Sequence, residues 1–233
     1  MNFIKLFFRS FLLIVIVFSL VLLSFEAEGI ASDNLPLHQQ SLADTIFADD
    51  FEDHNDADWQ RYHYSRWSVV WDEGDYSYFL NSTNYEPAQD DLLGEYSILP
   101  DYELVNFEFI CQAKTAENLS QNVFADYAIV YGWVDSRNYY CVLFSRMKGV
   151  TSISRLKNGV RHDLGTYNDF TFKDNEYHEV RVVQNGQYTI VFFDGEYILS
   201  THTTDYVHGH VGVGSFNDAA FFGPAPTDFV PGL

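Results

Sequence analysis

Apolar and polar residues alternate with a period of two along much of this chain. Within 103–113, Phe107, Phe109, Cys111 and Ala113 fall on one side, and Glu108, Ile110 and Gln112 fall on the other. That pattern predicts a β-strand. Similar runs at 46–51, 66–71, 76–80, 95–99, 124–134 and 139–147 predict further strands, and no stretch has a useful helical period. Within 176–215, the dipeptides Asn185-Gly186 and Asp194-Gly195 separate runs of Val, Ile, Tyr and Phe, and Asn158-Gly159 lies upstream. These dipeptides supply the positive φ angles of tight hairpin turns, so 150–165 reads as a hairpin and 176–215 as a meander. Short strands follow at 209–216 and 219–222. About a dozen strands with regular turns predict an all-β fold, an antiparallel β-sandwich of the jelly-roll kind.

The N-terminus changes the picture of location. Lys5 and Arg9 precede an apolar run at 11–25, and small residues follow at Gly29 and Ala31. This predicts a signal peptide over 1–31, an uncleaved anchor being the alternative, and hence a secreted or extracytoplasmic domain. Residues 32–45 read as a linker, 46–222 as the domain, and 223–233 as a Pro-rich tail.

The 233-residue chain carries 33 acidic against 13 basic residues, a net charge of −20, which disfavours nucleic acid and anionic membrane surfaces as partners. Aromatics reach 18%, enough to supply both a core and a binding surface. If the three strands holding and separating Cys111 and Cys141 pair in order, the two Cα atoms are about 9–10 Å apart. A disulfide needs under about 7 Å, so two buried free thiols are expected. Asn81-Ser82-Thr83 and Asn118-Leu119-Ser120 match the glycosylation sequon, which matters only in a eukaryotic source.

Four pieces together resemble the concanavalin A-like lectin/glucanase jelly rolls, and within them the laminin-G-like and 3-keto-disaccharide hydrolase-type domains. They are Asp49-Asp50-Phe51-Glu52-Asp53 with Trp59 and Trp67, Tyr102 to Phe109, Asp135-Ser136-Arg137-Asn138-Tyr139-Tyr140, and Phe193-Asp194-Gly195 with Gly209-His210-Val211-Gly212-Val213-Gly214. The resemblance spans 46–222 and implies a fold that carries lectins, glycosidases and adhesion modules. The family's closing aspartate is replaced here, where the chain reads Phe221-Phe222-Gly223-Pro224. That weakens any calcium site carried over from the family.

Candidate chemistry follows from these patterns. The paired carboxylates of the glucanase branch, Glu-x-Asp-x-x-Glu, are missing, and so are nucleophile-elbow and His-Glu-x-x-His motifs. The pair His208-Gly209-His210 lacks an obvious third metal ligand. In the acidic turn 49–58, Asp50, Glu52 and Asp53 are the candidate ligands of a structural calcium, a solvated turn being the alternative. If Phe107, Phe109 and Cys111 point inward, Glu108, Gln112, Tyr127, Tyr131, Trp133, Tyr140 and Arg146 share a concave face, with Arg155 nearby. Flat rings and hydrogen-bonding groups there would suit a sugar. The reverse parity would put the aromatics in the core. The leading expectation is non-catalytic carbohydrate binding. A glycoside hydrolase and a laminin-G-like protein-adhesion module are the alternatives.

Overall fold

The structure, a computed structural model, describes residues 45–85, 91–203, 205 and 208–223. The expected signal segment, nearly all of the expected linker and the tail beyond Gly223 lie outside these residues. The strands all belong to the unit that begins at Ala48.

Among the described residues, fourteen strands form two seven-stranded sheets. In chain order they are β1 (Gln60–Arg61), β2 (Trp67–Asp72), β3 (Asp75–Leu80), β4 (Glu95–Ile98), β5 (Phe107–Thr115), β6 (Asp126–Asp135) and β7 (Asn138–Ser145). Then follow β8 (Ser152–Lys157), β9 (Val160–Thr166), β10 (His178–Asn185), β11 (Tyr188–Phe193), β12 (Glu196–His202), β13 (His210–Ser215) and β14 (Ala220–Gly223). The front sheet runs β1-β4-β13-β6-β7-β8-β9 and the back sheet β12-β11-β10-β5-β14-β3-β2. Every pairing is antiparallel, so the molecule is a β-sandwich of the jelly-roll type.

The turn chemistry works as expected at two of the three dipeptides; at Asn185-Gly186 only Gly186 takes positive φ (58°), and Asn185 instead ends β10, paired with Tyr188. Asn158 and Gly159 both take positive φ (55° and 79°), as do Asp194 and Gly195 (49° and 77°), and each pair closes a hairpin. At β13, a Cβ on Gly212 would stand 2.1 Å from the Ser97 carbonyl oxygen. Only glycine lets β13 approach β4 this closely.

Two expectations fail locally. Residues 46–51 form no strand. The Asp49 and Asp50 carboxylates accept from the Phe51 and Glu52 backbone N–H groups (2.9 and 3.1 Å), and Phe51 takes φ 56°. Such side-chain capture competes with ladder pairing. The second failure concerns β5, which does not lie beside β6 and β7. It belongs to the back sheet, between β10 and β14, while β6 and β7 pair in the front sheet. Cys111 on β5 and Cys141 on β7 are therefore in different sheets. Both are free and buried, as expected, but for a different reason. Burial pushes each thiol up to about 12, so neither is a reactive thiolate at neutral pH.

The space between the sheets is filled by aromatic rings. Tyr127 stacks on Phe172 and Phe144 (5.0 and 5.7 Å) and meets Phe222 edge-on. Tyr131 stacks on Tyr140 (5.4 Å), reaches Phe107 of the back sheet (6.0 Å), and pairs its hydroxyl with Thr189 (3.1 Å). By alternation, Ile129 and Val142 point the same way, and both are buried.

Among the described residues the buried Tyr127 hydroxyl has no hydrogen-bond partner, and burial holds its pKa well above the ordinary value. An orphaned buried hydroxyl costs desolvation that nothing offsets. Tyr127→Phe is therefore expected to hold or raise stability, by up to about 1–3 kcal/mol. Tyr127→Ala should lose about 3–5 kcal/mol, as large aromatic-to-alanine changes in cores do. Urea unfolding of both variants tests this, and a loss of more than about 1 kcal/mol for the phenylalanine variant would contradict the reading.

Candidate functional site

The outer face of the front sheet, away from the back sheet, carries an open cleft of about 300 Å³. Gln60, Arg61, Tyr62, Tyr96, Ile98, Trp133, Asp135 and Ser136 line it. Its floor is built by β1 and β4. The Tyr62 backbone N–H donates to the Tyr96 carbonyl (2.9 Å), which continues the β1–β4 pairing by one residue. The Tyr62 ring then lies nearly parallel to Tyr96, 4.8 Å away at 16°, with Tyr62 49% exposed. From beneath, the buried Glu95 carboxylate anchors this segment. It accepts from the His63 backbone N–H (2.9 Å), from His63 Nδ1 (2.7 Å) and from the Trp67 indole N–H (3.0 Å).

The third ring arrives through a bulge. Strict alternation along β6 would send Trp133 inward with Tyr131. Gly132 takes φ 55°, and the register slips there against both β7 and β13. Trp133 thereby turns to the outer face, 6.1 Å from Tyr96 and 5.9 Å from His210. His210 is held in turn by its Nδ1, which donates to the Tyr102 carbonyl (3.0 Å).

The polar groups of the cleft are fixed as well. Arg61 is clamped through Nε and a terminal nitrogen by the Asp56 carboxylate, and its guanidinium lies over the Tyr64 ring. Burial alone would lower its pKa, but Asp56 and Tyr78 outweigh that and hold it raised and charged. Asp135 accepts from the Arg137 backbone N–H (2.8 Å) and, on both oxygens, from the Asn138 side-chain amide (3.0 Å). Burial pushes the Tyr96 phenol up to about 12, with Trp133 opposing, so it stays a neutral donor. Stacked faces ringed by fixed donors and acceptors can hold a sugar ring by its C–H face and its hydroxyls.

Of the binding residues expected from the sequence, Trp133 alone lines this cleft. Tyr127 and Tyr131 are fully buried between the sheets, and Tyr140 stacks on Tyr131 there. The parity assumed for β6 and β7 is thus inverted, because aromatic side chains fill the inter-sheet space and the smaller set faces out. Glu108 lies on the outer face of the back sheet, ion-paired to Arg181, and Gln112 shares that face four residues further along β5. Arg155 pairs in register with Tyr140 and binds Asp205, while Arg146 follows β7 with its backbone N–H on the Ala125 carbonyl. Sequence reasoning missed Tyr62, Tyr96, Gln60, Arg61, Asp135 and Ser136 as a site. The only signal for them was an aromatic pair on two short strands far apart in sequence.

The middle of the outer face is closed. Ala128, Val130, Tyr139, Cys141 and Leu143 form a second apolar cluster with Leu93, Tyr96, Ile98 and Leu156. Leu92, Val150 and Phe216 pack against it. The Leu93 backbone N–H donates to the Tyr139 hydroxyl (2.9 Å), and the Gly94 N–H to the Phe216 carbonyl (3.0 Å). Beside the cluster, Arg161 bridges Ser152, Ser154 and Asp163. No carboxylate projects from the central positions of β6 and β7 in this cluster.

Two other acidic groupings do not line the cleft. In the turn 49–58, Asp50 and Asp53 each accept from a backbone N–H two residues on, and Asp53 also holds the Asn55 amide. Glu52 turns to Asp75, and that hydrogen bond, with minor burial, raises its pKa. Among the described residues, no three His, Cys, Asp or Glu side chains converge as metal ligands would. The second grouping is buried. Asp126 and Asp218 each place Oδ2 within 3.0 Å of the Asn217 amide nitrogen. Asp126 also accepts from the Ser215 hydroxyl (2.7 Å) and the Phe216 N–H (2.8 Å), and Asp218 accepts from the Asp126 N–H (2.9 Å).

No family model matches the sequence, and no curated protein matches it. Among solved structures, the chain is similar to the carbohydrate binding module CBM66 from Bacillus subtilis, at 11% identity and a TM-score of 0.55, over 71% of this chain and 92% of that one. It is similar to the Bacillus licheniformis β-glucanase at 14% identity and a TM-score of 0.52, over 78% and 86%. It is also similar to the Bacteroides ovatus mixed linkage glucan GH16 protein in complex with its G4G4G3G product, at 11% and 0.53, over 76% and 97%. These likenesses identify the fold as a concanavalin A-like jelly roll.

The Asp126–Asp218 pair generates a pH test. Burial, followed by the Asp218 charge, raises Asp126 to about 8 against the Ser215 and Phe216 donors. An unfolded aspartate titrates near about 4. The stability tied to the bound proton is therefore whole below about pH 4, declines as the pH rises, and is lost once it passes about 8. Urea unfolding across this range should show a smaller decline for Asp126→Asn than for the natural chain. Identical pH profiles would overturn the assignment.

Proposed function

We propose that this protein is an exported, non-catalytic glycan-binding module, and that sugar rings stack in the Tyr62–Tyr96–Trp133 cleft. The observation that carries the reading is the exposed Tyr62 ring lying parallel on Tyr96 with Trp133 beside it. Gln60, Arg61, Asp135 and Ser136 around these rings can meet hydroxyl groups. The fold's likeness to a carbohydrate binding module and to a β-glucanase favours a glycan as partner. Export is supported by the basic, then apolar N-terminal segment.

Binding is favoured over hydrolysis by the carboxylates. Glycoside hydrolysis needs two of them flanking one bond. Among the described residues Asp135 is the one carboxylate lining the cleft, while Asp126 and Asp218 are buried and already hold one another's neighbours.

Tyr62→Ala should weaken binding to the recognised glycan about tenfold, or roughly 1.4 kcal/mol. Trp133→Ala should do at least as much. Tyr62 is exposed, so its loss tests the cleft without disturbing the core. Tyr131→Phe, in the core, should leave affinity unchanged. Glycan-array screening followed by calorimetry measures this. Affinity indifferent to both cleft substitutions, or release of reducing ends from the bound glycan, would defeat the proposal.

A further inference from the structure

The charges around the cleft discriminate among glycans. Among the described residues that line it, Arg61 is the one cation and Asp135 the one anion. They are not equivalent. Arg61 is already clamped by the Asp56 carboxylate, so its charge is offset within the protein. Asp135 is exposed, and its two oxygens are held by neutral donors, a backbone N–H and a side-chain amide. Among the described residues no Lys, Arg or His forms an ion pair with it. The nearest cation in sequence, Arg137, donates instead to the Asn158 carbonyl (2.7 Å) on the β8–β9 hairpin. One uncompensated negative charge thus stands at the edge of an aromatic platform, on a chain whose net charge is −20.

We infer that the cleft selects basic sugars, glycans whose rings carry a free ammonium group, over neutral sugars and uronates. This rests on the glycan-binding reading above and narrows its ligand class. An ammonium gains from both features of the site, since the carboxylate attracts it and the faces of Tyr62 and Trp133 carry the negative pole of their ring quadrupoles. A uronate meets repulsion from the same two features and from the field of the whole chain. The interaction with Asp135 is exposed, so it is modest and screened by salt.

The test uses β-1,4-linked glucosamine hexasaccharide, cellohexaose and a galacturonic acid hexasaccharide, by calorimetry at mildly acidic pH and low ionic strength. Glucosamine and glucose rings differ in one amine for one hydroxyl. The glucosamine oligomer should bind about three- to fivefold more tightly than cellohexaose, the range an exposed ion pair allows. The galacturonate should bind more weakly than cellohexaose. Asp135→Asn should narrow the gap between the first two, and added salt should do the same. Equal affinities in the natural chain, or a preference unchanged by Asp135→Asn, would overturn the inference. If cellohexaose binding still falls on Tyr62→Ala in either case, the glycan-binding reading stands without it. If none of the three binds, both fail for this class of sugar.

Discussion

The slipped pairing of β6 at Gly132 is the constraint on which the outer surface of the front sheet depends. Up to Tyr131 the strand alternates normally, with Tyr127, Ile129 and Tyr131 turned to the back sheet and Ala128 and Val130 turned away. The left-handed backbone at Gly132 then breaks the alternation, and the register against β7 and β13 slips. Without that extra residue, Trp133 would join the inter-sheet core. With it, an indole is delivered to the outer face beside Tyr96. The platform also needs its other half. β1 is only two residues long, and Tyr62 follows it through a backbone hydrogen bond and the Glu95 anchor.

The front sheet is buried on both faces over much of its width. One face meets the back sheet through aromatic stacking. The other is closed by Leu92, Leu93 and Phe216 over Ala128, Val130, Cys141 and Leu143. The cleft lies on the same outer face, at the β1–β4 end of the sheet. The double coverage also buries Asp126 and Asp218, whose protonation then bears on stability. Desolvation is the largest effect on both carboxyls, and their donors resist it only in part.

The legibility of the chain differs between fold and site. Turn dipeptides and period-two alternation identified the hairpins β8–β9, β10–β11 and β11–β12, and the central strands β6 and β7, nearly residue for residue. They failed where side chains compete with the backbone, at Asp49 and Asp50, whose carboxylates take the N–H groups that a strand would have used. They also failed to show which sheet a strand joins. Phe107 to Ala113 reads as a neighbour of β6 in sequence, yet it pairs with β10 and β14.

The sequence by itself determined that the chain is an antiparallel β-sandwich, because local alternation and positive-φ turns act over a few residues. Only the tertiary structure decided which face of each strand is inside. On β6 and β7 both faces are apolar, so composition carries no sign of direction; the sign comes from what the opposite sheet and the segment at Leu92 and Leu93 cover. It also decided the cleft, since Tyr62, Tyr96 and Trp133 come from three strand regions brought together by non-local pairing and one bulge. Pairing across a sheet depends on hydrogen bonds between distant segments, and a strand's own residues do not encode its partner.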